Sequence, residues 1–358
     1  MKKVVKQVVG IDVAQDELVC CFGVMDENFT LQLVARHTFE NKKMGFEKLL
    51  EWLEPIVNKE VQLRFVMEAT GVYHQKFAYF LHDKKYSVSI ILPNKISNFK
   101  RTLDCKTITD KTMADAIAQF GLERHLDDWQ PPQGVYRTLQ QLTRERSQLT
   151  DEKVVIKNQL HAEKAEAKPN KKSIERCNTR LTLIEKQVKE IIIELEELIA
   201  SDKEVQRILL LICSIPGIGM LTAATVLGET NGFELIRNKA QLTSYAGLDV
   251  KEKQSGTSIK GKTCISKKGN KHLRKAMHLP ALSAIRHNEK FKAIFERLVA
   301  KHGIKMKAVV AVQRKLLEMI YTIYKTEKKY DKNYMQNILK TTAIDEPLIA
   351  ALMELIEQ

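Results

Sequence analysis

The chain has 358 residues and carries 58 Lys and Arg against 44 Asp and Glu, a formal charge of +14. That length accommodates two or three domains with sizeable cores, and so basic a balance favours a polyanionic partner, nucleic acid before a membrane surface. Six cysteines without a CxxC pair or a His at ligand spacing argue against a disulfide frame or a zinc site and for reduced cytosolic thiols, and MKKVVKQVVG lacks the apolar core of a signal peptide.

Val8-Val9-Gly10-Ile11-Asp12-Val13-Ala14 reads as a buried strand, β-branched and apolar, with turn formers Gln15 and Asp16 behind it. Its lone carboxylate, Asp12, is costly to bury without a partner. A hard divalent cation would be one partner; capping of the next turn is the plainer alternative. Residues 18–25 and 31–39 follow as strands. Helical spacing of Met44, Phe46, Leu49, Leu50 and Leu53 predicts a helix over 41–54. Residues 62–67 form another buried strand ending at Glu68, then a helix over 73–84 capped by Thr70 or Gly71, then a strand over 87–92. Three strands in hairpin order, then helix, strand, helix, strand, predict a mixed α/β sheet. Glu68 stands at a strand's C-terminal end, where open sheets place ligands, and it converges with Asp12 if the two strands are neighbours. Taken alone it also reads as an acid complementing a helix start. Residues 107–118, TITDKTMADAIA, read as a Thr- or Asp-capped helix with Ile117 and Phe120 facing inward. Asp110 and Asp115 are five positions apart, about 140° around a helix, so they share one side only if Asp110 precedes the helix proper. Two acids at a helix start are ordinary caps; the functional reading comes from the set of four.

GIDVA, MEATGVYH and TDKTMADAIAQFG together resemble the amino-terminal half of the DEDD transposases of insertion-sequence family 110, relatives of the Piv DNA invertases. The resemblance implies a RuvC-like, ribonuclease H-like α/β domain over residues 1–129. It also implies a metal-binding tetrad whose first three acids are Asp12, Glu68 and Asp110. Family members read D-x-x-D-A at this helix; here Met113 falls on the second Asp, and Asp115 is the nearest acid that could substitute.

Pro131-Pro132 marks a boundary, and residues 130–201 form a helical middle. Residues 136–167 and 171–200 are charged and helical, broken at Lys168-Pro169-Asn170. Ile174, Leu181, Val188 and Leu195 recur every seven residues, with Cys177, Ile184, Ile191 and Leu198 in the other register, a coiled-coil pattern. Leu142, Leu149 and Ile156 hold one register of the first helix, while Arg146 and Lys153 interrupt the other. An antiparallel hairpin follows, closed on itself or on another subunit. Acceptors needed by Arg146 and Lys153, and the resemblance, favour a homo-oligomer, a dimer or tetramer.

The region 202–330 is expected to be mainly α. Residues 208–228 are long and uncharged enough to cross a bilayer, but Pro216-Gly217-Ile218-Gly219 at their centre would break a spanning helix. Two short buried helices of a soluble protein, with no membrane partner, explain them better. The same turn resembles a helix–hairpin–helix, in which Pro216, Gly217 and Gly219 let backbone N–H groups approach a phosphate; a turn without ligand is the alternative. Within residues 250–277, Lys251, Lys253, Lys260, Lys262, Lys267, Lys268, Lys271, Arg274 and Lys275 stand against the single acid Glu252. Small and hydroxylated residues among lysines suit a loop around phosphates, and a serine there could attack a phosphodiester. Chemistry alone does not choose among Ser255, Ser258 and Ser266, nor does it exclude a solvated loop that only binds.

GLDVKEKQSGTSIKGK and ISKKGNKHLRKAMH resemble the family's second conserved region, in which the serine of a Ser-Gly step is the nucleophile. That serine matches Ser255. Gly269-Asn270 and Leu273-Arg274 match the following motif, expected to be structural or phosphate-binding. Past residue 290 come amphipathic helices, and residues 331–358 form an acidic, apolar tail. The leading reading is a bacterial cytoplasmic DNA transposase or recombinase. Asp12, Glu68, Asp110 and Asp115 would hold Mg²⁺ or Mn²⁺, as one ion or as two about 4 Å apart. Ser255 would form a transient phosphoserine link to double-stranded DNA, and the resemblance implies a bridge RNA that selects the DNA. Two other readings stand beside it. One is a resolvase-like metal nuclease or DNA invertase in which Ser255 only binds; the other is a non-catalytic nucleic-acid-binding protein, motivated by Met113.

Overall fold

The computed structural model describes residues 3–331 other than 70, 104–108, 235, 252–253, 256–258 and 261–263. The chain divides into two compact units at the Pro131/Pro132 step. In the first unit β1 (Val4–Val13), β2 (Glu17–Asp26) and β3 (Leu31–Glu40) form an antiparallel meander. Then come α1 (Lys43–Leu53), β4 (Leu63–Glu68), α2 (Gln75–Asp83), β5 (Ser87–Ile91), α3 (Pro93–Lys100) and α4 (Asp110–Glu123). The sheet order is β3-β2-β1-β4-β5, with β4 parallel to both β1 and β5. The result is a five-stranded mixed sheet with β1 at its centre.

β1 is covered on both faces, which explains its unbroken run of apolar residues. Successive side chains alternate between faces. Val9, Ile11 and Val13 share a core with Phe65, Met67, Phe77, Leu81, Phe46 and Leu49, the layer beneath α1 and α2. Val8 and Gly10 face the other way, towards α4. There Gly10 is required by close approach: a Cβ at this position would collide with the Ala118 nitrogen and the Ala114 carbonyl. Gly121 does the same from the helix side, since a Cβ there would come 2.7 Å from Val8 and 2.9 Å from Val66. Lys6 on β1 donates to the carbonyls of Leu122 and Arg124 at 2.8 and 2.7 Å, satisfying the C-terminal end of α4. The helix is thereby fixed against the strand along its length. Met44, expected inward, is exposed, while Phe46, Leu49 and Leu53 carry the buried stripe of α1.

The second unit begins with two long helices, α5 (Gly134–Ala165) and α6 (Lys171–Ser201), the latter capped by the Asn170 side chain. Ile156, Cys177 and Ile184 pack together with Leu149, Leu160, Leu181 and Val188, and Ile191, Leu195 and Ile199 continue the stripe into the larger core. α7 (Lys203–Cys213) and α8 (Met220–Thr230) meet at the Pro216–Gly219 turn. Next follow α9 (Lys239–Ala246), the two-residue strands β6 (Val250–Lys251), β7 (Gln254–Ser255), β8 (Ile259–Lys260) and β9 (Cys264–Ile265), then α10 (Lys271–Ala276). α11 (His278–His287), α12 (Glu289–His302) and α13 (Lys305–Thr326) complete the unit. The stretch expected as a basic loop is therefore partly paired: β6 lies antiparallel to β9 and β7 to β8. Among the described residues no helix is long and apolar enough to cross a membrane.

Candidate active site

Asp12 and Glu68 end neighbouring parallel strands. Ile11 pairs with Met67, so the next residue on each strand is an acid, and alternation turns both towards α4. Asp110 is the first residue of that helix, fixed by a capping box in which the Thr109 and Thr112 side chains each bond the other's backbone N–H. The three carboxylates share one electrostatic environment. The Asp12 carboxyl is pushed up to about 6, by burial first, then by the charges of Asp110 and Glu68; the Val13 N–H and Lys100 only partly offset them. An acid raised this far by burial and by two other acids marks a site short of positive charge.

Asp115 does not join this group. Its carboxylate accepts from Arg36 Nε at 2.6 Å and Nη2 at 3.2 Å. Arg36 pairs with Cys21 and Cys21 with Gly10 across the sheet, so Asp115 is held over that row, two residues back along β1 from Asp12. The physical reason is the one noted for its spacing: Asp110 lies inside the helix, not before it, and five residues turn Asp115 away. Cys21, which bonds Asp115, is a buried thiol pushed up to about 12, by burial first and then by that carboxylate. Met113 stands where the resemblance leads one to expect the fourth acid. Its sulfur is 3.3 Å from Lys100 Nζ, which also lies 3.2 Å from Thr112 Oγ1. Sequence reasoning did not single out Lys100, because a Lys ending a short polar helix carries no signal of its own.

The donor set, three carboxylates, suits a hard divalent cation. Among the described residues, however, no group of three or more His, Cys, Asp and Glu side chains is gathered tightly enough to hold an ion as it stands. Asp12, Glu68 and Asp110 are the residues that would hold one.

In the second unit Ser255 sits in β7, paired with Ile259 of β8. Lys251 and Lys268 are exposed, and Lys267 is exposed with a left-handed backbone, φ 53°. Lys260 lies in β8, while Lys253, Lys262 and the acidic tail fall outside the described residues. Two residues expected to be structural or phosphate-binding make structural contacts. Asn270 caps α10 through its oxygen and donates to Glu229 Oε2 at 2.6 Å, and Arg274 Nη1 donates to the carbonyls of Ala246 and Gly269. Glu229, with a fully buried side chain, also takes two bonds from Arg144 at 2.6 and 2.8 Å. Ser266 is locked onto Asp249 at 2.5 Å. In the α7–α8 turn Gly217 has φ +90° and abuts Ser283 and Pro280, so its glycine is explained by packing. Gly219, capping α8, faces open space.

A family model described as "Transposase" matches residues 9–163, and one described as "Transposase IS116/IS110/IS902 family" matches residues 209–296. The Pilin gene-inverting protein of Moraxella lacunata is 27% identical over 332 residues, 91% of this chain and 98% of its own length. An uncharacterized 43.6 kDa protein of insertion element IS110 from Streptomyces coelicolor is 29% identical over 118 residues, 33% of this chain and 29% of its own. A structure of Thermus thermophilus RuvC aligns over 35% of this chain and all of its own length, at 13% identity and a TM-score of 0.26.

Proposed function

Because this chain belongs to the IS110 family of DEDD transposases, we propose that it cuts and rejoins DNA with a metal-dependent acidic site and a serine nucleophile. The observation that carries the reading is that Asp12 and Glu68 stand side by side at the C-terminal ends of the parallel strands β1 and β4, with Asp110 at the start of α4; burial, and with it this crowding, pushes the Asp12 carboxyl up to about 6. A bound Mg²⁺ or Mn²⁺ would supply charge to the oxygens of the reacting phosphate. Asp12, Glu68 and Asp110 would hold that ion, and the fixed contact between β1 and α4 keeps the first residue of α4, Asp110, in place beside the strand.

Ser255 is the nucleophile in this reading, supported by the Ser-Gly match and by its place in a lysine-rich stretch of the sequence. Its hydroxyl gives its proton to a base and forms a phosphorus–oxygen bond as the bond to the leaving sugar oxygen breaks, that oxygen taking up a proton. One phosphoester replaces another, so rejoining needs no outside energy source. Lys251, Lys267 and Lys268, with the Gly219 end of α8, bind DNA or RNA phosphates. The helical pair α5–α6 acts as a coiled coil joining subunits, the α7–α8 turn as a helix–hairpin–helix, and a bridge RNA selects the DNA in the cytoplasm. Inversion, named for the Moraxella relatives, is the same chemistry on differently placed sites.

The test is excision of the element from a plasmid in bacteria. Asp12→Asn, Glu68→Gln, Asp110→Asn and Ser255→Ala should each reduce circular product at least a hundredfold, whereas Asp115→Asn should retain most of it. Wild-type excision by Asp12→Asn would refute the acidic site. Wild-type excision by Ser255→Ala would leave a resolvase-like nuclease that uses water.

A further inference from the structure

We propose that Asn41 is a positioning residue of the acidic site: its side-chain amide straps the chain leaving β1 to the chain leaving β4, and so holds Asp12 and Glu68 at the spacing that takes up metal. The inference rests on the metal-dependent reading above and deepens it.

The parallel register of β1 and β4 ends at Ile11 and Met67, one residue short of the two acids. Beyond it β1 turns back into β2, while β4 leads on to α2. Asn41 follows β3 and is only 7% exposed. Its Nδ2 donates to the Ala14 carbonyl at 2.9 Å and to the Tyr73 carbonyl at 3.2 Å. One amide thus joins the segment that follows Asp12 to the segment that follows Glu68. The Asn41 backbone N–H donates to the Asp16 carbonyl at 2.8 Å, and the Tyr73 hydroxyl donates to Gln15 Oε1 at 3.3 Å. The turn after Asp12 is therefore held at Ala14, Gln15 and Asp16 in succession. An Asn just before a helix ordinarily caps it, yet α1 has no side-chain cap: the Asn41 amide is directed to the strap. Its Oδ1 is buried without a hydrogen-bond partner among the described residues, which is destabilising, so the donor side is what the position uses. Among the described residues the acids are not gathered closely enough to hold an ion as they stand. Metal affinity then depends on how far the two strand ends can spread, and the strap limits that spread.

The experiment titrates Mn²⁺ into the purified full-length protein without DNA, following the free-ion signal by electron paramagnetic resonance, with thermal melting of each variant alongside. Asn41→Ala should bind Mn²⁺ at least tenfold more weakly than wild type while still melting cooperatively. Asn41→Leu, which fills the same space without a donor, should do the same, and it covers the case in which the cavity left by Ala unfolds the chain. Leu53→Ala, in the buried stripe at the other end of α1, is the stability control. It should lower the melting temperature and leave Mn²⁺ affinity within twofold of wild type. Wild-type Mn²⁺ affinity in a folded Asn41 variant, or an equal loss in Leu53→Ala, would overturn the role of Asn41 while leaving the acidic site intact. Binding that Asp12→Asn does not weaken would overturn the metal reading itself, and this inference with it.

Discussion

Asp12 is charged at a cost in the metal-free protein, and that cost has a sign and a pH range. Its folded value lies above the ordinary carboxylate value of 3.8, so the native state binds the proton more tightly than the unfolded chain and is stabilised as the pH falls through about 6. With metal chelated, Asp12→Asn should melt several degrees above wild type at pH 7.5. The gain should shrink as the pH falls and vanish near pH 4; thermal scans across that range check it, and a destabilised Asn variant at pH 7.5 would contradict the crowding of acids. Glu229 behaves oppositely. Burial alone would raise its carboxyl, but hydrogen bonds from Arg144 and Asn270 outweigh it and hold it below the ordinary range. Its contribution is therefore complete at neutral pH and is lost as the pH drops through that range. Glu229→Ala should cost about 2–4 kcal/mol at pH 7, because Arg144 and Asn270 lose a buried acceptor, measurable by urea unfolding. In the sequence both residues of the Gly269-Asn270 step looked as fit for phosphate as for structure. The partner that decides for structure, Glu229, lies 41 residues away.

At the scale of elements, the site depends on how closely α4 lies on β1. Gly10→Ala puts a Cβ into the backbone of Ala118 and Ala114, which cannot move like a side-chain end. Overpacking of this kind costs about 1–3 kcal/mol, and it should lift the Asp110 end of α4 from Asp12. Excision should fall more than tenfold while the protein still unfolds cooperatively; full activity would mean that the helix position does not matter. The five strands and the helices α1, α2 and α4 of the first unit were legible, β1 and β4 as β-branched apolar runs and α1 from its 3.6 period, whereas the short polar helix α3 was not. The pairing of β6 with β9 and β7 with β8 was not legible, since a two-residue strand has no period. The side-by-side placement of Asp12 and Glu68 was expected, whereas the diversion of Asp115 depended on Arg36, 79 residues distant on another strand. The left-handed turn at Gly217 was readable as a glycine turn, but not its packing on Pro280 and Ser283.

For the whole molecule, a charge of +14 is the property least tied to any single residue and most directly tied to a polyanion. Each lysine on a phosphate should contribute about one unit to the slope of log affinity against log salt. Replacing Lys251, Lys267 and Lys268 together by Ala should reduce that slope by about two to three units in DNA titrations; an unchanged slope would remove these lysines from the interface. Composition announced the polyanion without saying which one. The two family segments supply DNA, and the proposed reading adds a division of labour between the acids of one unit and the serine of the other. Its most direct measurement is the covalent intermediate. DNA carrying the element's ends, incubated with the protein and Mn²⁺ and then denatured in detergent, should leave a strand attached to the chain through Ser255. The adduct should be absent without Mn²⁺, and absent from both Ser255→Ala and Asp12→Asn. An adduct of equal yield from Asp12→Asn, or joined DNA formed by Ser255→Ala, would contradict the account.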